Sequence, residues 1–173
     1  MPRPLVFGNG SMLVGIDEHY VIRDLFWPQV GLPNHLSGHP IRMGIWANGR
    51  FAWSDEWEHD LRYRPGTMVG DVKLRHRGLG LELQIAEGVD PQDPHYVRQI
   101  EISNLTNVRQ DVRIFFCHDL RIAASDIGDT AFYNPYVDGI IHYKNKYAFL
   151  FGGSTASGGL YEYVTGIKDF GGL

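Results

Sequence analysis

The sequence predicts an all-β antiparallel fold, and three observations support this prediction. Short segments alternate apolar and polar residues, as in residues 81–85, Leu-Glu-Leu-Gln-Ile. The dipeptide Asn48-Gly49 lies between two apolar runs, an arrangement typical of a β-hairpin. No window sustains an amphipathic helix of three turns. With turn residues at regular spacing, these features favour a large antiparallel sandwich.

Taken in chain order, the predicted strands form a succession of hairpins. They cover residues 5–7, 12–16, 20–27, 41–47, 50–54, 68–75, 81–85, 96–103, 108–118, 131–133, 140–143, 148–151 and 161–167. Gly8-Asn9-Gly10 closes the first hairpin, because glycine tolerates the positive φ of tight turns. Pro91 and Pro94 make residues 90–94 a surface connection. Residues 114–117 are apolar on both faces, which predicts that this strand lies in the interior between two layers.

Composition limits the classes of function. With 173 residues, 43% of them hydrophobic, the chain can bury a sizeable core, and we expect one domain over residues 1–173. A formal net charge of -4 provides no basic surface for nucleic acid or an anionic membrane. Neither a membrane-length apolar run nor a signal peptide is evident, and the single cysteine, Cys117, fits a reducing compartment. We therefore expect a soluble, cytoplasmic protein.

The stretch 22–35 begins as a strand and must then leave the sheet. Pro28 and Pro33 lack the N–H that a central strand needs, so a stiff, aromatic loop follows the strand. Binding residues often lie on loops held by a rigid scaffold. The side chains that this loop offers to a ligand or a neighbouring domain are Asp24, Phe26, Trp27, Asn34 and His35. The alternative is a well-packed strand exit whose aromatic rings close one end of the core.

A second candidate is a sugar platform formed by Trp53, Glu56 and Trp57. Acidic residues at positions 55, 56, 58 and 60 surround the two tryptophans. A carboxylate beside an aromatic ring suits a sugar, and carboxylate pairs catalyse glycoside hydrolysis. The alternative is an ordinary solvated face, where charged residues are common.

No metal or cofactor is predicted. His118-Asp119, with His95 and His142 elsewhere, contains suitable ligand types, but no His-Glu-x-x-His spacing occurs. Residues 125–130 offer oxygen ligands around a glycine but lack the later glutamate of an EF-hand. A Gly-x-Ser-x-Gly elbow and a phosphate loop are also absent from the sequence.

An ordered series of motifs extends over nearly all 173 residues. The motifs are Gly8-Asn9-Gly10-Ser11-Met12-Leu13, Ile22-Arg23-Asp24-Leu25-Phe26-Trp27-Pro28, Leu32-Pro33-Asn34-His35, Gly44-Ile45-Trp46-Ala47-Asn48-Gly49-Arg50-Phe51, Phe115-Phe116-Cys117-His118-Asp119-Leu120 and Gly128-Asp129-Thr130-Ala131-Phe132-Tyr133. In this series the chain resembles the N-terminal β domain of bacterial family 15 glycoside hydrolases, which include glucoamylase, glucodextranase and trehalase-like enzymes.

The resemblance implies a super-sandwich of the galactose-mutarotase type, followed in the family by a catalytic (α/α)6 barrel. The family's general acid and base are glutamates on that barrel, so no catalytic residue is assigned to this chain. We expect a non-catalytic domain that packs on the barrel of the same polypeptide, whose substrate is an α-glucan oligosaccharide releasing glucose from its non-reducing end. Residue 173 is expected to fall within or near the end of the sandwich, where an exposed edge favours a homodimer.

Two other functions stay open at this point. A free-standing carbohydrate-binding module would use Trp46, Trp53 and Trp57 as its platform. A sugar epimerase on the same sandwich would need an acid and base pair, for which His118 and Glu101 are candidates by fold analogy alone.

Overall fold

The computed structural model describes residues 3–166, and this part of the chain is built from antiparallel strands. In chain order the strands are β1 (Leu5–Gly8), β2 (Leu13–Ile16), β3 (Ile22–Phe26), β4 (Ile41–Ala47), β5 (Arg50–Trp53), β6 (Glu58–Tyr63), β7 (Gly70–His76), β8 (Leu81–Val89), β9 (Tyr96–Asn104), β10 (Val112–His118), β11 (Thr130–Asn134), β12 (Gly139–Lys144) and β13 (Tyr147–Gly152). Two short 3-10 turns, Ser54–Glu56 and Ile122–Ala124, interrupt them. The all-β antiparallel class predicted from the sequence is confirmed.

The chain divides into two compact units, residues 1–120 and 121–173. In the first unit, six strands form a sheet in the order β1-β2-β3-β4-β10, with β5 paired to β4. The second sheet of this unit is a meander in the order β6-β7-β8-β9. The expectation of one domain spanning residues 1–173 stays a prediction.

The two sheets of the first unit share one hydrophobic core. In β1, β7 and β8 alternate residues point inward and are buried, because side chains change face at every step along a strand. The inward residues include Leu5, Phe7, Val14, Ile16, Met43 and Ile45 from the first sheet and Val72, Leu74, Leu81, Leu83 and Ile85 from the second. The ring of Phe7 joins the layers, with its centroid 5.8 Å from that of Tyr63 and 6.1 Å from that of Tyr96.

The Asn48-Gly49 hairpin forms as predicted. Asn48 and Gly49 have φ values of 47° and 85°, the left-handed region that a two-residue hairpin turn requires. Ala47 then pairs with Arg50, and Gly44 pairs with Trp53. The turn therefore sets the register between β4 and β5.

Two expectations about strands are wrong. The strand predicted to lie between two layers, β10, pairs with β4 alone among the described residues, and Phe115 and Phe116 are 41% and 42% exposed. Apolar residues on both faces therefore mark an edge strand here. The segment 161–166 is not a strand, and residue 167 of that predicted strand lies outside the described residues.

The second unit contains the sheet β11-β12-β13. Its irregular segment before β11 has left-handed backbone at Ala123 and Ala124. The Lys144 ammonium from β12 donates to the carbonyl oxygens of Ile122 and Ser125, at 3.1 and 2.7 Å. This buried lysine therefore ties the irregular segment to the sheet. In the part of the chain that is described, no helix is long and apolar enough to cross a bilayer.

Candidate functional site

The loop after β3 is held at its base by one side chain, Asn34. Its Oδ1 accepts the backbone N–H groups of Leu25 and Leu36, both at 3.0 Å. Its Nδ2 donates to the carbonyl oxygen of Arg23 at 3.1 Å and to Oδ1 of Asp24 at 2.9 Å. An asparagine amide has two donors and two acceptor lone pairs, so its hydrogen-bonding capacity is fully used. Asn34 therefore fixes the loop against β3 and offers no further group to a ligand in this conformation.

His35 and Asp24 have similar internal roles. The His35 side chain is buried, and its Nε2 lies 2.7 Å from the carbonyl oxygen of Trp27. Since a carbonyl can only accept, Nε2 carries the proton. Asp24 receives a hydrogen bond from Arg3 at 2.6 Å, and a Cβ at Gly15 would lie 2.5 Å from its Oδ2. These contacts lock both ends of the loop.

The exposed part of the loop is the Pro-Gln-Val-Gly tip at residues 28–31, together with Pro33. Trp27 and Phe26 are half-buried beside it, and the Trp27-Pro28 peptide bond is cis. The structure thus brings together all five residues predicted from this stretch, with the polar ones turned toward the protein. What the loop presents outward is a stiff tip with the half-buried ring of Trp27 next to it.

The structure does not bring Trp53 and Trp57 onto one surface. Trp57 is 4% exposed, and its ring lies 5.3 Å from that of His76. Trp53 faces outward from β5, and Glu56 accepts its backbone N–H at 2.9 Å. The 3-10 turn Ser54–Glu56 separates the two tryptophans and reverses their faces. A platform of the composition predicted from the sequence therefore does not form in this conformation.

A different aromatic cluster lies on the outer surface of the six-stranded sheet. Trp46 of β4 is opposite Phe51 of β5, while Gly44 of β4 lies between Trp53 of β5 and Phe115 of β10. Directly paired residues point to the same side of a sheet, so these rings share one face. We call Gly44, Trp46, Phe51, Trp53 and Phe115 the aromatic face.

Gly44 allows these rings to pack closely. A Cβ at this position would overlap the Phe51 ring, which extends over the glycine. Phe51 meets Trp53 edge to face at 4.9 Å and Phe115 at 5.9 Å. Phe51 is 45% exposed and Phe115 41%. The cluster is therefore preorganised and still open to solvent.

The inner faces of β8 and β9 contain a buried polar cluster. Glu87 is 2% exposed, and its Oε2 accepts hydrogen bonds from the hydroxyls of Tyr20, at 3.1 Å, and Tyr96. Arg98, opposite Glu87 in β9, lies over the rings of Tyr96 and Phe116, 5.3 and 5.0 Å from their centroids. Oε1 of Glu87 is buried with no hydrogen-bond partner among the described residues.

The burial of this cluster shifts its ionisation. Burial raises the pKa of Glu87, while the nearby Arg98 guanidinium acts in the opposite direction. Burial also raises the pKa of both tyrosines well above the ordinary value. The cluster can therefore hold a proton more firmly than a solvated glutamate does.

Sequence reasoning missed this cluster, although a signal was available. Glu87 continues the inward series of Leu81, Leu83 and Ile85, and Arg98 lies between the inward Tyr96 and Ile100. A charged residue at an inward position of a period-two pattern indicates a buried polar site.

The epimerase candidates are in different sheets. Glu101 lines a shallow hollow of about 110 Å³ on the outer face of the four-stranded sheet, together with Arg64, Gln84, Ala86 and Gln99. His118 lies on β10, opposite Ile41. Within residues 3–166, no three His, Cys, Asp or Glu side chains are placed to hold a metal ion.

Comparison with known proteins gives one informative match. Over 148 residues, 85% of this chain, the sequence is 27% identical to an uncharacterized glycosyl hydrolase of Methanocaldococcus jannaschii. The match covers 23% of that protein, so the chain spans about a quarter of the length of its relative. No family model matches the chain, and no solved structure does.

Proposed function

We propose that this chain is a non-catalytic β domain of a glycoside hydrolase, which packs on a helical catalytic barrel and positions it. The parent enzyme would be glucoamylase-like and release glucose from the non-reducing ends of α-glucans. Two facts support the class: the relative is named a glycosyl hydrolase, and it is about four times as long as the segment matched here. The rest of such an enzyme has ample length for a separate catalytic domain.

The observation that supports the positioning role is the construction of the loop after β3. Asn34 commits four hydrogen bonds and His35 its ring to holding the loop, while residues 28–31 stay exposed. Rigid loops lower the entropy cost of forming a contact, because little freedom is lost on docking. A tip without titratable side chains suits packing against a neighbouring domain better than acid–base chemistry.

The first test compares the 173-residue chain with a longer polypeptide that continues through its gene. Glucose release from maltotetraose, isomaltotriose and trehalose would be measured for both. We expect activity only in the longer polypeptide, and the active substrate would identify the linkage. Activity in the short chain would contradict the non-catalytic role.

The second test uses Asn34→Ala in the longer polypeptide. We expect kcat/KM to fall about tenfold or more, because a small misplacement of reacting groups is costly even when the mutated residue lies far from them. Asn104→Ala is the matched control, since Asn104 also holds a turn through three hydrogen bonds, to Thr106 and Val108. If both variants lower kcat/KM equally, the loop contributes only to the stability of the fold, which would contradict the positioning role.

A further inference from the structure

The aromatic face groups four rings around one glycine on the outer surface of the six-stranded sheet. Its rings are fixed by mutual edge-to-face contacts and by Gly44, so little motion would be lost when a ligand covers them. The Phe51 ring extends over Gly44 and contacts the rings of both Trp53 and Phe115. Partly exposed aromatic rings held this firmly are typical of binding surfaces.

Charges on this face are already compensated. The Arg42 guanidinium lies 4.3 Å from the Trp53 ring centroid and makes two hydrogen bonds to Asp55, at 3.0 and 3.1 Å. The Arg113 guanidinium lies 5.1 Å from the Trp46 centroid and 3.6 Å from Asp111. An anionic ligand would compete with these carboxylates, and a cationic ligand would compete with the arginines for the rings. The charge arrangement favours a neutral ligand.

A neutral sugar combines the required properties. The C–H groups on a pyranose face can cover an aromatic ring, while the hydroxyls around its edge stay hydrated or reach the guanidinium and carboxylate groups nearby. We infer that the aromatic face binds a neutral α-glucan chain. The neutral sugar follows from the face itself, and the choice of an α-glucan rests on the function proposed above. This binding is separate from catalysis and needs no catalytic domain.

The experiment is a titration of the 173-residue chain with maltoheptaose, followed by tryptophan fluorescence and by calorimetry. We expect a saturable signal with Kd on the order of 1 mM, as for a small solvent-exposed site. Phe51→Ala and Trp53→Ala should each weaken binding about fivefold or more, the change expected for a central aromatic contact. Tyr136→Ala is the control, because Tyr136 is 96% exposed and belongs to the other unit.

Gly44→Ala tests the geometry while every ring is retained. Its Cβ must displace the Phe51 ring, so we expect weaker binding in a protein whose circular dichroism is unchanged. If Gly44→Ala fails to fold, Phe51→Leu keeps an apolar side chain at this position and should still lose affinity, because it removes the ring.

Three results would overturn the inference. The first is a titration of the unaltered chain that shows no binding signal. The second is an equal loss of affinity in Phe51→Ala and Tyr136→Ala. The third is found by hydrogen exchange: the backbone amides of the aromatic face are protected in the longer polypeptide, and adding maltoheptaose does not change that protection. The last result would make the face a contact between domains. If the longer polypeptide is active but the 173-residue chain shows no binding of maltoheptaose, only this inference is contradicted. If the chain binds maltoheptaose but the longer polypeptide is inactive, only the proposed function is contradicted.

Discussion

The two sheets of the first unit use the same antiparallel alternation but place different chemistry on their outer faces. On the six-stranded sheet, Trp46, Phe51, Trp53 and Phe115 cluster around a glycine. On the four-stranded sheet, the outer positions form polar pairs such as Lys73–Glu82, at 3.0 Å, and Gln84–Asp71, at 2.7 Å. One outer face is therefore suited to being covered and the other to facing water.

On the inner faces the contrast is reversed, because the four-stranded sheet has the more polar one. The six-stranded sheet presents mainly apolar side chains to the core, whereas the four-stranded sheet also places Glu87 and Arg98 there. Exposed ion pairs contribute little because water screens them, but a buried charge depends on each partner. The contribution of a charged side chain to the free energy of unfolding therefore depends on its position in the sandwich and not on its residue type.

The largest expected effect comes from removing the inner cation. Arg98→Met should lower the free energy of unfolding by about 3 kcal/mol, because Glu87 would remain buried without its nearby positive charge. Lys73→Met, which removes an exposed pair of the same sheet, should change it by less than about 1 kcal/mol. Urea denaturation of both variants measures the difference. Adding Glu87→Gln to Arg98→Met should recover part of the loss, and full additivity would show that the two residues do not interact.

A smaller effect is expected from filling the glycine under the aromatic rings. Gly44→Ala should destabilise the fold by about 1–3 kcal/mol, the usual cost of overpacking, because the new Cβ meets the Phe51 ring. Gly88→Ala in β8 is the control, since the nearest atom to its Cβ would be a backbone oxygen 3.8 Å away. Equal thermal denaturation midpoints for the two variants would contradict the close packing of the aromatic face.

The smallest effect is a change of stability with pH. Burial raises the pKa of Glu87 above its ordinary value of 4.5, so the folded protein holds this proton where the unfolded chain has lost it. This contribution to stability is complete below the ordinary value and is lost as the pH rises through the raised one. For one proton, the free energy of unfolding cannot change by more than about 1.4 kcal/mol per pH unit.

Glu87→Gln should remove that slope from a series of urea denaturations at increasing pH. Glu82→Gln, on the outer face, should leave it in place, because Glu82 pairs with Lys73 at the surface. A slope that persists in Glu87→Gln would assign the proton to another group.

Local patterns in the sequence determined most of the strands. Alternation at residues 81–85 and the Asn48-Gly49 turn predict elements whose hydrogen bonds join near neighbours in the chain. Such elements depend on side-chain direction and turn geometry, which a few residues specify. The sequence also identified the loop after β3, since prolines end a strand wherever they occur.

Only the tertiary structure decided how distant residues meet. The pairing of Phe115 with Gly44 joins strands far apart in the chain, and it assembles an aromatic face that no local motif indicates. Trp53 and Trp57 are close in sequence, yet one points outward and the other into the core, because a 3-10 turn lies between them. The sequence predicts Asn34 as a ligand contact, whereas in the structure all its side-chain hydrogen bonds hold the loop against β3. The sequence specifies the type of each side chain, but the group that completes its hydrogen bonds or its packing depends on which strands become neighbours.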